Sequence, residues 1–276
     1  MGSPSALYDP AAALAFFKSA GKLEKYPQGA TIFHENEKAR SILLQRDKMY
    51  YVYDGEVSLV AKNKAIASVR KGEVFGELAP LTHAQRTAGA MAKTACRVIA
   101  LDDREFQQAL MKRPAFALML MSVMVARLRH TIVTLHAEGK LSVSGACKEA
   151  AVFDQRQLAD LVQGLANDPP IYFDRGAVII KEGSTAVRMY AVLEGRVVVT
   201  IEGSMVERIG PGGVFGEAAV LDQAARLASV QAQTDCALQP IGRTAFLELV
   251  KLSPAFAQKM LANLAERLRL LAARLN

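Results

Sequence analysis

The feature that most constrains this chain is that it repeats itself. Residues 71–90, KGEVFGELAPLTHAQRTAGA, align with residues 211–230, PGGVFGEAAVLDQAARLASV, and ten of the twenty positions are identical. Unrelated segments of ordinary composition match at roughly one position in fifteen. The offset of 140 then holds without a gap. Cys96 meets Cys236, Phe106 meets Phe246, Pro114-Ala115-Phe116-Ala117 meets Pro254-Ala255-Phe256-Ala257, and Arg127-Leu128-Arg129 meets Arg267-Leu268-Arg269. Upstream, Tyr50 meets Tyr190 and Gly55 meets Gly195. Further back the offset becomes 147, where Gly29 meets Gly176, so the first copy carries about seven extra residues near Glu37 to Lys48. A chain built this way folds as one architecture used twice.

Each copy has the same grammar. A short helical pattern opens it (PAAALAFFKSAG, then FDQRQLADLVQGLAN, stopped by Pro169-Pro170). Short runs of β-branched residues separated by glycine turns follow, such as AVIIKEG and YAVLEGRVVVTIEG. A long amphipathic helix closes each copy, from about Pro114 to Leu135 and from about Pro254 to Leu275. Many short strands with glycine turns predict a sandwich or barrel, and helices confined to the ends make the fold α+β. We place the first domain at 8–136, a linker at 137–150 and the second domain at 151–276.

Composition narrows the functional classes. Half of the 276 residues are hydrophobic, which is enough for a sizeable core. The net charge of +7 favours anionic partners but is not gathered into a basic block, so nucleic acid is not expected as a partner. Cys96, Cys147 and Cys236 form no CxxC, and with only four histidines no metal site is expected. Cys96 and Cys236 read as core thiols. The apolar run Ala115–Ala126 is too short to span a bilayer, and MGSPSALYDP lacks the basic start and apolar run of a secretory signal. A cytoplasmic protein with no membrane contact is expected.

The repeated F-G-E-x-A, with Arg nine residues after the Glu, carries the chemistry. Gly76 and Gly216 allow positive φ and close approach of a ligand to the backbone. Leu78-Ala79 and Ala218-Ala219 can start a helical turn whose free N–H groups attract an anion. Arg86 and Arg226 suit a phosphate through paired hydrogen bonds. Glu77 and Glu217 repel phosphate and must accept from hydroxyl groups instead, as from a ribose. Together they describe a pocket for a ribose that bears a phosphate.

FGELAPLTHAQRTAGA and FGEAAVLDQAARLASV resemble the phosphate-binding cassette of the cyclic nucleotide-binding domain family, over about 8–136 and 151–276. The resemblance implies two tandem jelly-roll-like β-rolls of eight strands, each flanked by N-terminal and C-terminal helices, the latter a movable lid. It implies ligand contacts from Phe75, Gly76, Glu77, Leu78, Ala79, Arg86, Thr87 and Ala88, and from Phe215, Gly216, Glu217, Ala218, Ala219, Arg226, Leu227 and Ala228. In it the glutamates take the ribose 2′-hydroxyl and the arginines the cyclic phosphate. Thr87 and Leu227 sit where the base is chosen and differ, as do Gly89 and Ser229. Copy two has Glu182-Gly183 after its second strand. Copy one has Asn36-Glu37 and then the insertion, so its roll is expected to be distorted there. His83, replaced by Gln223, reads as a surface residue.

The expected function is that of a non-enzymatic receptor. It binds cAMP or cGMP at two sites, needs no cofactor and signals to an effector protein through its lid helices. No DNA-binding domain, kinase or pore is expected within the chain as given. A nucleic-acid-binding regulator and a scaffold with vestigial pockets are the alternatives. Leu261, Leu264, Leu268, Leu271 and Leu275 have seam spacing, from which we expect a homodimer through the C-terminal helix. Intrachain pairing with the Met121, Met124, Leu128, Thr131, Leu135 stripe is the alternative.

Overall fold

The computed structural model describes residues 7–37, 46–141, 151–185 and 187–275. They form two compact units, Met1–Thr131 with Leu261–Asn276, and Ile132–Met260. Most of the first-copy insertion, most of the expected linker, and Cys147 lie outside the described residues.

In the first unit α1 (Pro10–Ala20) opens the copy. Asp9 caps it, its carboxylate accepting from the Ala11 N–H at 2.8 Å, and Pro10 takes the first turn, where no N–H is needed. Eight strands follow: β1 (Lys22–Tyr26), β2 (Thr31–Phe33), β3 (Lys48–Asp54), β4 (Glu56–Ala61), β5 (Lys64–Arg70), β6 (Val74–Phe75), β7 (Gly89–Ala92) and β8 (Cys96–Asp102). They pair antiparallel into two four-stranded sheets, β1-β8-β3-β6 and β2-β7-β4-β5. Their inner faces bury Phe33, Tyr50, Val52, Val57, Val69, Phe75, Cys96 and Val98 in one core. The β4–β5 turn is Lys62-Asn63, both at positive φ (46° and 61°), the two-residue geometry that matches strand twist.

The short helix α2 (Leu78–Thr82) interrupts the roll between β6 and β7. After β8 come α3 (Asp103–Lys112) and α4 (Ala115–Ala137). The strand-then-closing-helix grammar missed α3. Its signal was present in Asp102-x-x-Glu105, a capping box in which Asp102 accepts from the Glu105 N–H (2.7 Å) and Glu105 accepts from the Asp102 N–H (2.9 Å). Phe16 of α1 stacks on Phe116 of α4 with centroids 3.8 Å apart, which seats the closing helix on the opening one. At 23 residues, α4 is long and apolar enough to cross a membrane by length and composition, longer than its apolar run suggested. Burial of 56% of its most apolar window explains that composition as core packing.

The second copy repeats the plan: α5 (Gln155–Gly164), β9 (Ile171–Phe173), β10 (Val178–Ile180), β11 (Arg188–Glu194), β12 (Val197–Ile201), β13 (Ser204–Ile209), β14 (Val214–Phe215), α6 (Glu217–Asp222), β15 (Ser229–Ala232), β16 (Cys236–Gly242), α7 (Arg243–Leu252) and α8 (Pro254–Leu275). Its sheets run β14-β11-β16-β9 and β10-β15-β12-β13, the same orders as in the first roll. Ile180, Val192, Val197, Ile209, Phe215, Val230, Cys236 and Leu238 fill the core. Both described cysteines are buried free thiols, as expected. Leu261, Leu264 and Leu268 of α8 are buried within the single chain, whereas Leu271 and Leu275 are partly exposed.

Candidate functional site: two cassettes between strand six and strand seven

In both rolls the strand carrying Val-Phe pairs with the strand carrying the matched tyrosine, Tyr50 opposite Phe75 and Tyr190 opposite Phe215. The rings stack at 5.0 and 5.4 Å. This places Phe75 and Phe215 in the cores, where they anchor the segment that follows. Gly76 and Gly216 then turn at φ +72° and +86°. A Cβ at Gly216 would come within 2.8 Å of Arg226 Nη1, and one at Gly76 within 3.1 Å of the Phe33 ring. Conformation and space both demand glycine.

The next residues turn into α2 and α6, so the amides of Leu78 and Ala79, and of Ala218 and Ala219, belong to first turns whose N–H groups lack intrahelical acceptors. Ala79 and Ala219 are buried, while Leu78 and Ala218 are half-buried. His83 and Gln223 end the two helices at φ 53° and 54°, both exposed, in keeping with a surface role.

Arg86 and Arg226 lie under the cassettes, 6% and 5% exposed. Each guanidinium donates to two backbone carbonyls at equivalent positions. Arg86 reaches Gly76 O (2.6 Å) and Lys48 O (2.8 Å), and Arg226 reaches Gly216 O (2.9 Å) and Arg188 O (2.5 Å). Burial pulls both below the ordinary arginine value, yet the guanidinium stays charged. Nε of Arg226 is buried with no hydrogen-bond partner. An open, buried, cationic donor is costly without an acceptor and favours an anion. The Arg86 ring contact is also cationic, with its guanidinium carbon 4.1 Å from the Phe33 centroid.

Glu77 and Glu217 are buried at 1% and 3% exposure. Arg127 of α4, which the reading of the cassette did not include, donates to Glu77 Oε1 at 2.5 Å and to Val74 O at 2.6 Å. The signal for it was the repeated Arg-Leu-Arg of the closing helices. The other Glu77 oxygen, Oε2, is buried without a partner and is open to a hydroxyl donor.

The turn after the second strand corrects one expectation. Asn36 stands where Gly183 stands, at φ 62° against 76°. The acid before it, Glu35, matches Glu182: Glu35 accepts from the Lys62 N–H (2.8 Å) and Glu182 from the Glu202 N–H (2.9 Å). The backbones of Arg86 and Arg226 are clamped identically. Asn36 N–H donates to Arg86 O at 2.9 Å and Gly183 N–H to Arg226 O at 3.0 Å, while the arginine N–H groups donate to Glu37 O and Ser184 O, both at 2.9 Å. The turn is therefore not distorted, because asparagine tolerates the left-handed conformation. One asymmetry is real. Ser229 Oγ accepts from the Glu182 N–H at 3.0 Å, and Gly89 in the first roll has no side chain to do so.

Thr87 and Leu227, after the arginines, are half-buried. Ala88 is buried and Ala228 half-buried on the way into β7 and β15. The cassettes thus bring a buried carboxylate, a buried guanidinium, a glycine turn and a helix start together twice.

The chain is similar to known proteins over both rolls. A cAMP-dependent protein kinase regulatory subunit from Eremothecium gossypii is 26% identical over 217 residues, covering 77% of this chain and 43% of its own length. The cAMP-activated global transcriptional regulator CRP of Salmonella typhimurium is 30% identical over 138 residues, covering 48% of this chain and 62% of its own length. The chain thus spans less than two thirds of either relative. Among solved structures, the regulatory domain of Toxoplasma gondii PKA with cAMP is 21% identical, with 89% of this chain and 86% of that one covered and a TM-score of 0.30. The cyclic nucleotide-binding domain profile matches residues 23–113 and 170–253, one segment in each roll. With both matched segments holding a glycine turn, a buried Glu and a buried Arg in the same arrangement, the chain belongs to the cyclic nucleotide-binding domain family.

Proposed function

We propose that this protein is a non-enzymatic, cytoplasmic receptor that binds a purine 3′,5′-cyclic mononucleotide, cAMP or cGMP, in each of two pockets and passes the signal to an effector protein. Residues 8–136 and 151–276 act as the two binding modules, joined by 137–150. Glu77 and Glu217 accept from the ribose 2′-hydroxyl. Arg86 and Arg226 hold the cyclic phosphate with the amides of the adjoining helix starts. Thr87 and Leu227 face the base.

The observation that carries this reading is the retention of a buried Glu and a buried Arg in both rolls. Glu77 Oε2 and Arg226 Nε stay buried without a hydrogen-bond partner, and a buried polar group left so costs free energy that a ligand offsets. The names of the relatives, a cAMP-dependent kinase subunit and a cAMP-activated regulator, support the choice of ligand.

Calorimetric titration with cAMP and cGMP tests the proposal. Two binding events are expected. Arg86→Ala should weaken one of them by about 2–4 kcal/mol, the loss of a charge-assisted contact that also leaves a buried anion unmatched. Arg226→Ala should weaken the other by a similar amount. No heat with either nucleotide at high micromolar ligand would overturn the receptor reading.

A further inference from the structure

The short helix α6 is held by an arginine at each end. At its start, Arg226 Nη1 donates to Gly216 O at 2.9 Å. At its end, Arg243, the first residue of α7, donates through Nη1 to Val220 O and to Leu221 O (3.3 Å). The hydrogen-bond network assigns the amide oxygen of Gln223, the residue that caps α6, to the same guanidinium, where it accepts from Nη2 (3.1 Å) and Nε (3.2 Å). The Gln223 N–H donates to Ala219 O at 3.0 Å. The carbonyls of Ala219, Val220 and Leu221 thus all have donors at a helix end that cannot supply its own.

The first roll is built differently. Asp103 stands in the place of Arg243 and His83 in that of Gln223. A carboxylate cannot donate to a carbonyl, and Asp103 instead accepts from Arg46 at 3.0 Å. The arginine clasp therefore belongs to the second cassette. It matters there because α6 has only six residues, too few for a helix to stand without its neighbours. The first of those residues is Glu217, 3% exposed and one turn before the clasped carbonyls. Arg243 acts on Glu217 through the helix that carries it.

We propose that Arg243, with Gln223, is a positioning residue of the second pocket: it keeps α6 folded before ligand arrives and so presents Glu217 and the Gly216 turn already in place. This rests on the receptor reading above. Under that reading Arg226 divides its donors between Gly216 O and the cyclic phosphate, whereas Arg243 stays committed to the helix end. A pocket whose cassette helix is formed only part of the time binds with an affinity reduced by that fraction.

The test is calorimetry with cAMP on the Arg86→Ala chain, in which the second pocket reports. Adding Arg243→Ala should weaken cAMP about fivefold, the loss of most of the preformed population. Arg243→Lys should recover part of this, because an ammonium can serve the carbonyls but cannot also fork onto Gln223. Amide exchange over Glu217–Asp222 should quicken in the Arg243→Ala chain and slow again at saturating cAMP, since ligand and clasp stabilise the same helix. A loss of overall stability alone would change how much chain is folded, not the affinity of the folded fraction. If Arg243→Ala does not fold, Arg243→Lys carries the same comparison with a smaller weakening. Exchange that quickens with cAMP affinity unchanged would overturn the positioning role while the receptor reading stands. Exchange that does not quicken would overturn the clasp itself, whatever the pocket binds. A wild-type chain that binds no cyclic nucleotide would overturn the receptor reading and the proposal with it.

Discussion

At the scale of single residues, the pairing of Arg127 with Glu77 couples the closing helix to the first cassette. Removing Arg127 leaves a buried carboxylate without its cation. Because Arg127 is itself 29% exposed, we expect Arg127→Ala to cost about 1–3 kcal/mol, below the range of a fully buried pair. Urea unfolding should show a lowered midpoint, with Arg127→Lys recovering part of it through charge alone. Base choice is also a single-residue matter. Thr87 offers a hydroxyl where Leu227 offers methyl groups, and a buried base amino group left unmatched costs about 1–3 kcal/mol. The Arg86→Ala and Arg226→Ala chains should therefore show different cAMP-to-cGMP affinity ratios, and equal ratios would remove these two side chains from base selection.

Between elements, the two cassette helices are held differently. Arg243, at the start of α7, donates to the carbonyls of Val220 and Leu221 in the last turn of α6. A cation there satisfies orphan carbonyls and complements the helix dipole. The matching residue in the first roll is Asp103, which instead accepts from Arg46 at 3.0 Å. Arg243→Ala should loosen α6 by about 1–2 kcal/mol, the value of a cation on helix-end carbonyls. Amide hydrogen exchange would register this as faster exchange over Glu217–Asp222. Asp103→Ala should leave exchange in α2 unchanged, since Asp103 has a different partner.

For the whole molecule, the buried tyrosines make stability depend on pH on the alkaline side. Burial raises Tyr8, Tyr26 and Tyr50 above the ordinary phenol value, with the Glu24 carboxylate adding to the shift at Tyr26 and the Arg86 guanidinium opposing it at Tyr50. The native state keeps these protons at pH values where the unfolded chain has released them. Stability is therefore intact below the unfolded tyrosine value of about 10 and falls as pH rises above it. Phenolate absorbance should show part of the tyrosine complement ionising only together with unfolding. Association is a whole-molecule property too. With Leu261, Leu264 and Leu268 already buried in the single chain, the leucines of the α8 seam left for a second copy are the partly exposed Leu271 and Leu275, beside the exposed Leu270. Light scattering should report a monomer, and a dimer abolished by Leu268→Glu would restore the seam between copies.

The amino-acid sequence alone determined the duplication, the α+β roll with helices at its ends, and the grouping of Gly76, Glu77 and Arg86 with their second-copy equivalents. These are legible because repeats, strand alternation and glycine turns are local or self-referential patterns. The tertiary structure decided the rest. It showed that Asn36 takes the left-handed place of Gly183. It brought Arg127 onto Glu77 across fifty positions of sequence, and set Asp47 against Arg86. Periodicity reports which face of an element is buried; it carries no information about which distant charge that face will meet. That depends on how the strands pair and where the helices dock, and these are fixed only when the whole core packs.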